Sequence, residues 1–251
     1  MIERLYDAMA IPSGCKLGKR VFKKLFEENA DLGVADRKVL REDLDSVTWA
    51  YTLKPSTIPI RPYEDAEREY LEIALLQADL KASKRVGRLA EIIHRAIPYP
   101  IILVFVHQGA VAISLAHKRF SQAEKGAIVA DDFLTTDWID LASPTPPQRA
   151  FLASLRVPDL PQTHFYAFYS ARTDRLVALD CAGLSGEYRV EPIPERRALR
   201  REHLAAAHAL NVRISALKAK IRKEVQFNRQ VELNTQIKQL ERQLGTLTAE
   251  L

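Results

Sequence analysis

Cysteine is nearly absent from this sequence. Cys15 and Cys181 are its only two, far apart, and neither has a second Cys or a His at metal-ligand spacing. That argues against a disulfide framework or a zinc ribbon and predicts a reducing compartment. Long apolar runs are missing too. The longest, Ile101 to Val106, is the length of a buried strand, far short of the roughly 20 residues a membrane-spanning helix needs. The start, Met1-Ile2-Glu3-Arg4, lacks the apolar segment of a signal peptide, so a cytoplasmic protein without membrane contact is expected. Glycine is scarce, 9 residues in 251, and Gly14 and Gly18 stand isolated, so no strand–GxxxxGK–helix phosphate loop exists. Ser154, Ser170 and Ser185 lack the strand–turn–helix setting of a nucleophile elbow. The histidines, among them His94, His107 and His164, show no ligand spacing, so no resident metal is expected.

What the sequence has is basic charge, and in one place. Of 37 basic and 32 acidic residues, 12 and 6 fall between Glu195 and Leu251, leaving 25 and 26 for the rest. The positive excess is therefore local, which favours an acidic partner, either nucleic acid or an acidic protein surface.

The first 44 residues read mainly as helix, including a run from Lys16 to Phe26 with five basic residues and two aromatics. From Val47 to Leu53 the chain turns β-branched and aromatic and stops at Pro55, as a strand does. Glu69 to Leu80 reads as a second strand, Ser83 to Ala96 as an amphipathic helix ended by Pro98 and Pro100, and Ile101 to Val106 as the buried centre of a sheet. His107-Gln108-Gly109 reads as a turn into a hairpin partner from Ala110 to Ala116, with another strand between Ile128 and Ile139. A short helix around Gln148 to Leu155 and a longer one from Phe165 to Ala182 follow. This order predicts an α/β (α+β) domain over 1–190, a mixed β-sheet flanked by helices, with a basic helical segment over 191–251.

In that segment Leu233, Ile237, Leu240, Leu244 and Leu247 recur by 4, 3, 4 and 3 residues, continuing to Leu251. This is a heptad seam, expected to form a long coiled-coil helix that self-associates. An earlier seam, Leu210, Ile214, Leu217 and Ile221, is out of phase across residues 223–230. The slip is either a stutter in one helix or a turn between two antiparallel helices. The junction has no Gly, which favours the continuous helix, although Asn228 is a candidate cap for a second one.

Two constellations bear on function. Asp79-Leu80-Lys81 closes a strand before a helix, with Asp65 and Glu67 upstream. Restriction-type nucleases use an acidic residue and a D/E-x-K element on one strand face to hold magnesium and assist the attacking water. The pattern is short and common, so Asp65, Asp79 and Lys81 are candidates only for a metal-dependent nuclease alternative. The basic clusters are the better candidates: Arg196, Arg197, Arg200 and Arg201; Lys218, Lys220, Arg222 and Lys223; and Lys19 and Lys23 within Lys16–Lys24. Each suits sequence-neutral neutralisation of phosphates, and no motif that reads base edges is present.

Three runs also carry a resemblance: Phe26-Glu27-Glu28-Asn29-Ala30-Asp31-Leu32, Arg95-Ala96-Ile97-Pro98-Tyr99-Pro100-Ile101, and Gln226-Phe227-Asn228-Arg229-Gln230-Val231-Glu232-Leu233-Asn234. They resemble a bacterial family known as a domain of unknown function, number 4391. The resemblance implies a setting beside DNA methyltransferases and helicase-like ATPases, in restriction-modification or phage-defence loci, and it carries no catalytic residues. The reading that results is a non-catalytic accessory subunit that docks a protein partner, possesses no cofactor, self-associates through its seam, and touches DNA backbone. A purely protein-binding scaffold is a further alternative.

Overall fold

The computed structural model describes residues 2–124 and 126–251; Met1 and Lys125 lie outside them. In chain order the first elements are α1 (Ile2–Ala8), β1 (Lys16–Val21), α2 (Lys24–Asn29), α3 (Val34–Asp43), β2 (Leu44–Leu53), β3 (Tyr63–Glu64), β4 (Glu69–Tyr70), β5 (Ile73–Leu80) and α4 (Val86–Ala96). They continue with β6 (Ile101–His107), β7 (Ala110–Phe120), β8 (Ile128–Thr135), β9 (Ile139–Asp140), α5 (Pro146–Ser154), α6 (Phe165–Ser185), α7 (Pro194–Ile221) and α8 (Phe227–Ala249). The mixed α/β class expected from the sequence is present. Two compact units divide within α6, one ending at Leu176 and the other running from Val177 to Leu251.

In the first unit the main sheet has the order β1-β2-β5-β6-β7-β8, with β9 also paired to β7. Its centre is the parallel pair of β5 and β6, Ala74 opposite Ile101 and Asp79 opposite Val106. Parallel neighbours need a crossover, and α4 supplies it. Leu89, Ala90, Ile93 and Ala96 of α4 are buried in one cluster with Leu76, Ala78, Leu103 and Phe105 of the two strands. Each fully buried Leu, Ile or Phe contributes about 1.5–3 kcal/mol. The β6–β7 turn uses Gln108 at φ 49 and Gly109 at φ 87, the left-handed pair that a two-residue hairpin requires.

Two polar devices complete this unit. At the end of the β6–β7 ladder away from the turn, beyond the Leu103–Ser114 pair, the Tyr169 hydroxyl enters the ladder. It lies 2.8 Å from the Ile101 carbonyl and 3.0 Å from the Ala116 carbonyl, and accepts the Ala116 N–H at 3.0 Å. The buried Lys118 ammonium donates to the carbonyls of His94 and of Ile97, the latter at 2.7 Å, and so caps the C-terminus of α4. Burial pushes that ammonium down to about 7. Outside, Arg88 forks onto both oxygens of Asp36 at 2.7 Å and clamps α3 to α4; this pairing holds Asp36 below the usual carboxylate range.

The N-terminal basic run departs from the helix expected of it. Lys16 to Val21 is an edge strand, bulged between Lys16 and Lys19 around Gly18 at φ +67. Its exposed Lys16, Lys19 and Arg20 are the charges by which an open sheet edge resists pairing with another chain.

The C-terminal segment also differs from the single long coiled-coil helix expected. It is an antiparallel hairpin of α7 and α8, tied by Lys218 to Glu241 at 2.7 Å and His203 to Glu250 at 3.0 Å. The two out-of-phase seams pack on each other: Ile214, Ile237 and Leu240 are buried, with Leu210, Leu217 and Leu244 against them. No glycine is needed at the turn because Glu224 closes it. Its carboxylate accepts the N–H groups of Val225 and Gln226, both at 2.9 Å, and its carbonyl accepts from the Gln230 side chain at 2.7 Å. The N-cap position is Gln226 rather than Asn228, with no side-chain cap bond, and the Glu224 carboxylate instead holds the N–H groups of the two residues just before α8.

Two outcomes are expected. His94 is fully buried, its Nε2 3.1 Å from Ser114 Oγ, and burial and then the nearby Lys118 charge hold it well below 6.5. Below its unfolded value the unfolded chain binds a proton that the folded chain refuses, so stability falls as pH drops through 6.5, by at most about 1.4 kcal/mol per pH unit. Urea midpoints measured between about pH 5 and 7.5 should show this slope, and His94→Gln should reduce it; equal slopes would place the loss elsewhere. Leu240→Asp puts an unpaired carboxylate into the hairpin seam. The variant should lose helical ellipticity and be cleaved faster around 222–226 at unchanged solution mass, whereas a fall in mass would mean the seam joins two chains.

Candidate nucleic-acid interface

Because the seams face each other, the flanks of α7 and α8 define a groove along one side of the hairpin. Arg213, Ala216, Leu217 and Lys220 of α7 line one stretch with Gln236, Gln239 and Leu240 of α8. Lys220 and Gln236 continue it toward the turn, where Lys223, Glu224, Arg229, Glu232 and Leu233 complete it. Arg213 and Lys220 are seven residues apart, two helical turns, and so share a face about 10 Å apart along α7. Lys223 follows in the turn just beyond the end of α7. The groove thus presents four cations and two side-chain amides against two carboxylates, and one of those, Glu224, is already occupied by the turn. Lysine acts here as a mobile point charge and arginine as a fork, the two donors suited to phosphate.

The other basic residues expected to touch nucleic acid divide. Lys223 lies in the groove, and Arg222 is exposed beside the turn. Lys218 is committed to Glu241 across the hairpin. Arg196 is exposed, but Arg200 is 5 % exposed and donates to the Arg189 carbonyl, and Arg197 bonds the Pro192 carbonyl at 3.4 Å. Arg201 is half-buried with bonding of its own. Lys19 stands exposed on the β1 edge, while Lys23 donates to the Leu44 carbonyl; burial, and then the Lys81 charge, lower its ammonium from 10.5. Arg213 and Arg229 were not among the expected contacts: Arg213 shares a face with Lys220 on α7, whereas Arg229 joins them only because the chain folds back at 222–226. Of the seam residues assigned to self-association, Ile237, Leu240 and Leu244 serve the hairpin core; Leu233 lines the groove and Leu247 is half-buried.

The carboxylates of the nuclease alternative are not brought together. Asp65 sits in the β3–β4 turn, where it accepts the Tyr63 hydroxyl at 2.7 Å and the N–H groups of Glu67 and Arg68, both at 2.8 Å. That turn leads into the start of β5, whereas Asp79 stands near the opposite end, with about 20 Å of strand between Ile73 and Asp79. Asp79 accepts from Ser46 and Gln77, each at 2.9 Å, and Lys81 reaches Asp45 at 3.9 Å. Among the described residues no three His, Cys, Asp or Glu side chains are grouped where they could hold a metal ion.

A polar aromatic cluster at the N-terminal end of α6 was not singled out from the sequence. Tyr63 stacks on His164 at 4.5 Å and on Tyr166 at 5.0 Å, and Arg68 bonds the Tyr166 hydroxyl at 2.8 Å. Behind them Tyr70 Oη lies 2.7 Å from His117 Nδ1 and accepts the Lys118 N–H at 3.1 Å, while Thr173 Oγ1 is 3.4 Å from His117 Nε2. Both ring nitrogens of His117 are engaged, so the group fastens α6 and the β3–β4 hairpin to β7 rather than offering a free base. His164 Nδ1 accepts the Ala167 N–H at 3.1 Å and His107 Nδ1 lies 3.0 Å from the Leu80 carbonyl, both in structural roles. The signal was local: Tyr63, Arg68 and Tyr70 flank a two-stranded turn, but their partners are distant in sequence, 98 residues for Arg68 with Tyr166 and 47 for Tyr70 with His117.

No curated protein and no solved structure matches the chain. One family model does, over residues 9–244, nearly the whole length. The chain belongs to the family described as a domain of unknown function, DUF4391.

Proposed function

We propose that this protein is a non-catalytic accessory subunit that holds nucleic acid by its phosphate backbone in the groove of the α7–α8 hairpin. The observation that carries the reading is the row of Arg213, Lys220, Lys223 and Arg229 along one side of two helices whose apolar faces are already used. Phosphate contacts fix position without reading sequence, which agrees with the lack of any base-reading motif. A protein partner, of the methyltransferase or helicase kind that the family resemblance implies, would supply sequence choice or chemistry. Exposed Leu17, Phe22 and Leu25, where β1 leads into α2, give such a partner an apolar contact on the first unit.

Fluorescence anisotropy with a duplex oligonucleotide across a salt series tests this. Four phosphate contacts give a slope of log K against log salt of about −3.6. Lys220→Glu combined with Lys223→Glu and Arg229→Glu should flatten the slope and weaken binding by at least tenfold, about 1.4 kcal/mol. No binding at low salt, or identical behaviour of the variant, would overturn the proposal.

A further inference from the structure

The end of the hairpin carries a feature that backbone binding does not use. Val225 in the turn is 90 % exposed, and Phe227, the first residue of α8, is 75 % exposed. Neither belongs to the hairpin core. Side chains on a helix tilt toward its N-terminus, so Phe227 is directed past the end of the hairpin, beyond the groove lining. Arg222, Lys223 and Arg229, neighbours of Phe227 in the chain at the same end of the hairpin, are all exposed. An exposed aromatic ring at the mouth of a cationic groove is the pairing by which proteins hold nucleic acid whose bases are unpaired: cations follow the backbone, and the ring stacks on a base. An intact duplex keeps its base faces stacked inside and exposes only those of its two terminal pairs.

We infer that the preferred ligand of the hairpin is single-stranded nucleic acid, with Phe227 stacking on an unpaired base and the groove cations following the adjacent backbone. The inference rests on the backbone-binding reading and narrows it from nucleic acid in general to strands with unpaired bases. With the same four contacts, the salt slope on a single strand is about −2.8, shallower than on duplex. Affinity for the single strand should nonetheless be higher by the stacking contribution, about 1–3 kcal/mol per base, or roughly 5- to 150-fold.

The experiment compares the full chain with Phe227→Ala and with the Lys220→Glu/Lys223→Glu/Arg229→Glu variant on an oligothymidylate and on a blunt duplex at one salt concentration. Phe227→Ala should lose about tenfold on the oligothymidylate and less than about twofold on the duplex, while the charge variant loses both. As a direct readout, Phe227→Trp should show fluorescence quenched by oligothymidylate beyond any change seen in the parent, whose own Trp49 and Trp138 lie in the first unit. Equal losses on the two ligands, or an unquenched Trp at saturation, would overturn the stacking inference and leave backbone binding standing. Binding of neither ligand by the parent chain would overturn both.

Discussion

The parallel pairing of β5 with β6 is the constraint on which the first unit depends. Parallel strands cannot be joined by a tight turn, so the chain must leave the sheet, cross it as α4, and return. The crossover buries Leu89 and Ile93 against the strands, and α3 is then held to α4 by the Arg88–Asp36 fork. The same geometry leaves polar groups to be satisfied at one end. The carbonyls at the C-terminus of α4 find Lys118, and the frayed β6–β7 ladder finds the Tyr169 hydroxyl. Each of these buried side chains meets a backbone group that needs a partner.

The second unit rests on a different economy. Heptad seams of this length need an apolar partner, and the nearest one is the same chain folded back on itself. Closing a turn of a few residues costs little entropy compared with bringing in another molecule. Glu224 closes the turn without glycine by accepting the N–H groups of Val225 and Gln226, just before α8. Once the apolar faces are paired, the positive charge that composition places in this segment is displayed along the flanks, and the proposed nucleic-acid role follows from that display.

How much was legible in the sequence depended on the range of the interaction. Ile101 to Val106 announces a buried strand because six consecutive apolar residues admit little else, and Gln108-Gly109 announces its turn because of the backbone angles it can adopt. The seams around Ile214 and Leu240 were equally plain, but periodicity states that a face is apolar, not which chain covers it. Charge was the hardest to read. Arg200, Lys23 and Lys218 look like Lys223 in sequence, yet they bond to carbonyls or a carboxylate, whereas Lys223 lines the groove. Lys16 to Arg20 was misread as helix because an edge strand guarded by lysines lacks the alternation of a half-buried one. The Tyr70–His117–Thr173 group was invisible for the reason that Asp65 and Asp79 were misleading: proximity in sequence says little about which end of a strand a side chain occupies.

The most direct test of the account is to locate bound nucleic acid on the protein. An oligonucleotide bearing photoreactive thymidine analogues, irradiated with the full chain and followed by peptide mass mapping, reports the contact without relying on a variant. The account predicts adducts confined to the hairpin, in peptides covering Arg213 to Gln239 and lost at high salt. Adducts concentrated on the β1 edge around Lys19, or on the Asp79–Lys81 end of β5, would contradict it.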